Sequence, residues 1–428
     1  MNRKLLLSIY VTGCCLLGCN TSTENTSENP ETLRQLDSLF EQHQYFEVRR
    51  ILENEDVHLP KKEELLLKAR LHSVFNEREE SNENIARIFS DFSEELTEEE
   101  RNSLLETRIN NSVFLFKYSE ALEATKKVLA SDSLSEEDRK AHLNTRIIYE
   151  TLEQIPPQQV ILEKTELPIV KDVAGLPRIP VQLNSKTQEV VFDTGANFSV
   201  ITDSLAIEAG IEIIGRPFKV KAVTGGEVDS RIGIADTLRI GKTTLNNVVF
   251  LVFPEQSLSF PEANYTIDAI LGFPVINALE EVMMVKAERF IITGGIVNPE
   301  YRNLALDFLT PVLEVREDST SLPFTFDTGA NSTALYPGYF EFRKERILET
   351  GTPDSLRFGG AGGVVKAPVY YIPFSGKIGE SPFLLDSAAV HIEDVRDYPG
   401  IYGNLGQDVL SQFDTLLLDF KEMAFIIK

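Results

Sequence analysis

The sequence predicts an α+β multidomain protein, with an N-terminal all-α helical region followed by an all-β region made of two similar halves. Three observations carry this expectation. Composition and periodicity switch at Ile155-Pro156-Pro157, from Leu, Glu, Lys and Arg with few glycines to β-branched, aromatic and glycine-punctuated segments. The hexapeptide Phe192-Asp193-Thr194-Gly195-Ala196-Asn197 recurs as Phe326-Asp327-Thr328-Gly329-Ala330-Asn331. Glycines then recur at matched spacing behind each copy. The 428 residues suffice for two or three compact units, and 42% hydrophobic with 25% charged residues exclude wholesale disorder and a polytopic membrane protein. A formal net charge of −24 would repel a phosphate backbone, so nucleic acid is not expected as a partner. The three cysteines, Cys14, Cys15 and Cys19, all precede residue 20, which removes a cysteine-rich zinc site, a disulfide framework and a Cys nucleophile from the body of the chain.

In chain order, residues 1–18 read as a signal peptide, with Asn2-Arg3-Lys4 as its positive start and Leu5 to Leu17 as an apolar stretch too short to span a bilayer. Leu16-Leu17-Gly18-Cys19 resembles a bacterial lipobox, which makes Cys19 the expected lipidation site. Val11-Thr12-Gly13-Cys14 also fits but leaves a shorter apolar stretch, so Cys19 is preferred. Residues 19–30 follow as a polar tether. The resulting expectation is a lipid-anchored lipoprotein of the bacterial cell envelope, the outer membrane preferred over the inner, facing periplasm or cell surface.

Residues 31–154 have helical periodicity, with helix starts expected at Thr97-Glu98-Glu99-Glu100 and within Asp132-Ser133-Leu134-Ser135-Glu136-Glu137. Tyr45-Phe46-Glu47 and Tyr118-Ser119-Glu120 open similar helices, with a candidate middle copy near Ser81 to Phe89. The stretch resembles a short tetratricopeptide-like array; an unrelated helical bundle is the alternative. A protein partner for this region is expected under the array reading. Residues 155–297 and 298–428 form the two β halves, with strands expected at Arg178 to Leu183, Glu189 to Phe192, Asn247 to Phe253 and Thr415 to Phe420.

Asp-x-Gly alone is common turn chemistry. Here, however, Gly225-Gly226 follow Asp193 at the same distance as Gly359-Gly360 follow Asp327, and Gly272 and Gly406 repeat the agreement further on. On these residues the stretch from Ile169 to Lys428 resembles the retropepsin-like aspartic proteases, with two subunits fused in one chain. The resemblance implies an all-β bilobal acid-protease fold. It implies Asp193 and Asp327 as a catalytic dyad supported by Thr194, Gly195, Thr328 and Gly329. It also implies two flaps, tipped by Thr224, Gly225 and Gly226 and by Gly359, Gly360, Gly362 and Gly363. Two carboxylates held together share a proton, so one serves as base and the other as acid, without metal or cofactor. The implied substrate is a peptide or unfolded protein segment, and the catalytic region is expected to act as a monomer.

Phe273 and Gln407 stand where retroviral enzymes carry an arginine, so that local ion pair is missing. His391 is the only histidine after His142, and no Gly-x-Ser-x-Gly elbow accompanies it, which disfavours a serine triad and leaves His391 a structural or surface role. Met283-Met284 reads as core. The competing reading is a non-catalytic peptide-binding lipoprotein that grips extended segments with the protease-like cleft and the helical repeats.

Overall fold

The computed structural model describes residues 30–54, 57–221, 226–295, 299, 302–360, 363–393, 398 and 400–428. The lipobox, Cys14, Cys15, Cys19 and the tether before Pro30 lie outside the described residues. Among the described residues no helix is long and apolar enough to cross a membrane.

Seven helices come first: α1 (Pro30–Glu41), α2 (Tyr45–Leu52), α3 (Lys61–Val74), α4 (Arg78–Asp91), α5 (Glu98–Phe114), α6 (Tyr118–Leu129) and α7 (Glu136–Leu152). Local sequence sets their starts. Thr97 accepts the Glu100 amide at 3.1 Å while Glu100 accepts the Thr97 amide at 2.8 Å, and Ser135 accepts the Asp138 amide at 3.1 Å. Helices α1 and α2, α3 and α4, and α5 and α6 pack as consecutive pairs. Each pair is joined through a left-handed residue two positions before its second helix: His43 (φ 58°), Asn76 (φ 63°) and Phe116 (φ 55°). The same turn therefore recurs with three different side chains. Between the pairs, Arg78 is buried over the Phe114 ring, 3.8 Å from its centroid, and donates to Ser73 Oγ at 2.8 Å.

The β region repeats one arrangement. In the first half, strand Lys186–Phe192 lies between Pro177–Leu183, antiparallel, and Ala269–Leu271, parallel. Ala269–Leu271 then pairs antiparallel with Val200–Thr202. In the second half, Thr320–Phe326 lies between Thr310–Glu317 and Gly403–Leu405, and the latter pairs antiparallel with Ala334–Leu335. A late strand is thus inserted beside the strand that leads into each Asp-Thr-Gly loop. Under each leading strand an aromatic pair fills the core, Phe192 against Phe290 and Phe326 against Phe425, both with centroids 4.9 Å apart.

A five-stranded sheet joins the halves in the order Thr165–Pro168, Arg289–Ile292, Glu281–Val285, Thr415–Asp419, Ala424–Ile427. Its central pair is antiparallel with Met283 opposite Leu417, equivalent positions of the two halves, so a pseudo-twofold axis passes between them. Met284 is buried in the core.

The helices share cores with the β region. Tyr45, Phe46, Leu67 and Leu71 belong to the cluster that fills both lobes, and Tyr118, Tyr149 and Leu152 pack with Phe218, Val228 and Ile232. Helix α7 also lies along the edge strand Glu212–Lys221, where Asn144 imitates a strand residue. Its amide donates to the Lys219 carbonyl at 2.6 Å and its oxygen accepts the Lys219 N–H at 3.1 Å.

Candidate active site

Each Asp-Thr-Gly loop leaves its strand where the inserted strand ends, and that strand ties it down. The Asp193 amide donates to Leu271 O at 3.0 Å and the Asp327 amide to Leu405 O at 2.9 Å. The inserted strand then passes under the loop at Gly272 and Gly406. A Cβ at Gly272 would lie 2.5 Å from Ala196 O, and one at Gly406 would lie 2.6 Å from the Ser332 carbonyl carbon. Only glycine permits that approach.

The two loops meet across the pseudo-twofold axis through buried threonines. The Thr194 amide donates to Thr328 Oγ1 at 3.1 Å and the Thr328 amide to Thr194 Oγ1 at 3.0 Å. Each hydroxyl then donates to the opposite strand end, Thr194 Oγ1 to Phe326 O at 3.2 Å and Thr328 Oγ1 to Phe192 O at 2.7 Å. Both amides and both hydroxyls of this crossing are paired, as full burial requires.

Above the threonines the aspartates stand side by side. Gly195 N–H donates to Asp193 Oδ1 at 2.8 Å and Gly329 N–H to Asp327 Oδ1 at 2.7 Å. A Cβ on Gly195 would lie 2.4–2.7 Å from the Asp327 carboxyl atoms, and one on Gly329 would lie 2.5–2.7 Å from those of Asp193. Each carboxyl group therefore rests against the backbone of the opposite loop. Asp327 is buried and Asp193 half-buried. Asn197 and Asn331, which close the two motifs, brace the loops outward: Thr310 Oγ1 donates to Asn197 Oδ1 at 3.2 Å, and the Asn331 amide donates to Ala174 O.

The pair opens into a cleft of about 700 Å³. Val191, Val200, Phe253, Leu258, Ile267 and Ile270 make its first-lobe wall apolar, whereas Arg357, His391 and Asn404 give the second-lobe side a polar character. Two hairpins reach over it, Glu212–Lys221 with Glu227–Ile240 and Thr352–Gly360 with Gly363–Ile378, contributing Val220, Lys221 and Val228 from one and Leu356 to Gly360 from the other. Gly226, Gly359, Gly360 and Gly363 stand at or beside the hairpin ends; Thr224, Gly225 and Gly362 lie outside the described residues.

His391 belongs to the cleft wall rather than the outer surface. It is buried edge-on against Phe358 at 5.8 Å, and burial pushes its ring below the ordinary pKa. At the positions of the missing arginine, Phe273 packs edge-on against Phe420 and Gln407 donates its amide to Thr328 O at 2.9 Å. Asn404, which no sequence motif marks, also lines the cleft, and Thr325 donates to its side chain at 2.7 Å. Among the described residues no group of three or more His, Cys, Asp or Glu side chains is arranged to hold a metal ion.

A family model described as aspartyl protease matches residues 179–275, from the strand before the first motif to the turn after Gly272. No curated protein matches the chain.

Proposed function

We propose that the protein is an aspartic endopeptidase that hydrolyses extended peptide segments with a water molecule activated between Asp193 and Asp327. The observation that carries this reading is the meeting of two identical loops, each carboxyl group against the other loop's glycine, at the floor of a cleft roofed by two hairpins. The aspartyl protease match over the first half adds support for a peptidase. Two carboxyl groups this close hold one proton between them. The ionised one takes a proton from water as it attacks the scissile carbonyl, while the protonated one donates to the carbonyl oxygen. An extended substrate pairs its backbone with the hairpin edges, and its side chains enter the walls.

Asp193→Asn and Asp327→Asn test the reading, because the amide oxygen still accepts the Gly195 or Gly329 N–H while the acid–base pair is lost. Each is expected to lower hydrolysis of an unstructured peptide mixture by more than about 10³-fold with little change in melting temperature. Substantial turnover by either variant refutes the dyad. A wild-type chain that binds the peptides without cleaving them favours the non-catalytic binding reading instead.

The lipobox resemblance extends the proposal to a lipid-anchored envelope protein, with the helices next to the tether. Cys19→Ser is expected to release the chain from the membrane fraction or leave it unprocessed, with peptide hydrolysis intact. Normal lipid modification of that variant would refute Cys19 as the anchor.

A further inference from the structure

The two lobes place equivalent residues around the cleft, and the chemistry at those positions differs. Val200 and Ala334 stand at the same distance behind Asp193 and Asp327, and lie opposite Leu251 and Ala389 on neighbouring parallel strands. Phe253 and His391 follow at the same distance along those strands. Ile270 and Asn404 are equivalent on the inserted strands, opposite Val191 and Thr325. All six line the cleft, so Val200, Phe253 and Ile270 of the first lobe are matched by Ala334, His391 and Asn404 of the second. The first set packs with Val228, Leu258 and Ile267 in one apolar cluster and offers no hydrogen bond. The second set does offer them. Asn404 Oδ1 accepts Thr325 Oγ1 at 2.7 Å, and its Nδ2 lies 3.5 Å from Asp327 Oδ2. His391 is only 4% exposed, and among the described residues its Nδ1 has no hydrogen-bond partner. Burial of its ring opposes the charged form, which leaves a neutral imidazole with one donor and one acceptor nitrogen.

We propose that these two sets determine specificity: the first-lobe set takes a large apolar side chain, while His391 and Asn404 take an uncharged hydrogen-bonding side chain, a carboxamide above all. On the peptidase reading, which supplies the scissile bond, the substrate is a peptide cut between an apolar and an amide-bearing residue. An extended chain that crosses the pseudo-twofold axis over the aspartates puts one of the two flanking residues over each lobe. A carboxamide carries a donor and an acceptor, which match the neutral imidazole and the Asn404 amide. A purely apolar side chain leaves the buried His391 nitrogen without a partner, and selection against such a mismatch is strong in a site built for hydrogen bonding. A carboxylate meets the charge shared by Asp193 and Asp327. The cations of the cleft, Lys221 and Arg357, stand exposed on the hairpins.

The test uses peptides that carry Phe-Gln, Gln-Phe, Phe-Phe, Gln-Gln, Phe-Glu or Glu-Phe in the middle of a constant Gly-Ala sequence. Cleavage by the full wild-type chain is read by mass spectrometry, and binding to the full Asp193→Asn chain by fluorescence anisotropy of labelled peptides. At least one of the two Phe and Gln orders is expected to be cut between those residues about tenfold faster than Phe-Phe, Gln-Gln and either Glu peptide, with binding in the same rank. His391→Phe copies the first lobe's residue and is expected to turn the preference toward Phe-Phe, more completely when combined with Asn404→Ile, whereas His391→Gln keeps the wild-type preference. Circular dichroism verifies that the variants fold, and the wild-type ranking decides the matter if they do not. Phe-Phe cut as fast as both mixed orders overturns the proposal, as does a Glu peptide preferred to its Gln counterpart, or a folded His391→Phe chain with the wild-type ranking. Absence of all cleavage with the expected ranking in binding overturns only the peptidase reading, and equal binding of all six overturns the specificity assignment.

Discussion

Glu281 and Asp419 face one another in the sheet that joins the lobes, and both carboxyl groups are almost fully buried. Asp419 accepts the amides of Lys421 and Glu422 at 2.9 and 2.8 Å, and Glu281 is bonded by Thr293. Burial, against the pull of the Glu422 amide, and then the Glu281 charge push Asp419 from its ordinary 3.8 up to about 6. Between those values the folded chain keeps a proton that the unfolded chain releases. This group's contribution to stability is therefore most favourable below about 4 and falls as pH rises toward 6. Asp419→Asn retains an acceptor oxygen for the two amides and removes the charge. Its melting temperature is expected to exceed that of the wild type at pH 7–8, with the advantage shrinking as the pH falls from about 6 to 4; a constant difference across that range would show that Asp419 does not titrate there. No local sequence pattern announces this pair, because its members meet only through pairing between the lobes. Gly272 and Gly406 were legible because steric need leaves one residue type at a crossing. Asn404 was not, since a single Asn in an apolar segment has no meaning until its register partner is known.

At the scale of elements, the two hairpins over the cleft differ in what supports them. The first has α7 along its outer strand, where Asn144 makes both of its amide bonds to Lys219 and Arg216 pairs with Glu150 at 3.2 Å. Among the described residues the second hairpin's outer strand, Thr352–Gly360, pairs only on one side. Asn144→Ala removes two bonds from the exposed edge of the first hairpin without touching the cleft. Hydrogen exchange is expected to quicken over residues 216–221 and stay unchanged over 352–360, and equal protection in both proteins would mean that the apolar contacts of Phe218 and Val228 hold the strand unaided. The helices themselves were readable from caps and periodicity. The recurring turn was not, because His43, Asn76 and Phe116 share a backbone conformation and no chemistry. Two of these turns also dock the helices on the β region. Asn76 donates to Phe420 O at 2.8 Å, and His43 lies 3.3 Å from Asp307. Burial opposes ionisation of Asp307, but the His43 ring and the Tyr398 and Tyr45 hydroxyls outweigh it and hold its pKa below the ordinary value.

For the whole molecule, the repeat and the shared sheet decide what the active unit is. A site made of two equivalent loops needs two halves, and separate subunits would make its formation depend on concentration. Here Asp193 and Asp327 come from one chain, and the axis relating their loops passes between Met283 and Leu417 of that same chain. The effective concentration of one half near the other is then set by a covalent connection and does not fall on dilution. Apolar clusters that contain residues of the helices and of the β region couple these parts further. The full chain is accordingly expected to sediment as a monomer and, on the peptidase reading, to keep the same activity per mole of chain from micromolar to nanomolar enzyme. A fall in specific activity on dilution, recovered on concentration, would mean that loops of different chains pair, and the dyad would then have to be assigned to Asp193 of one molecule and Asp327 of another.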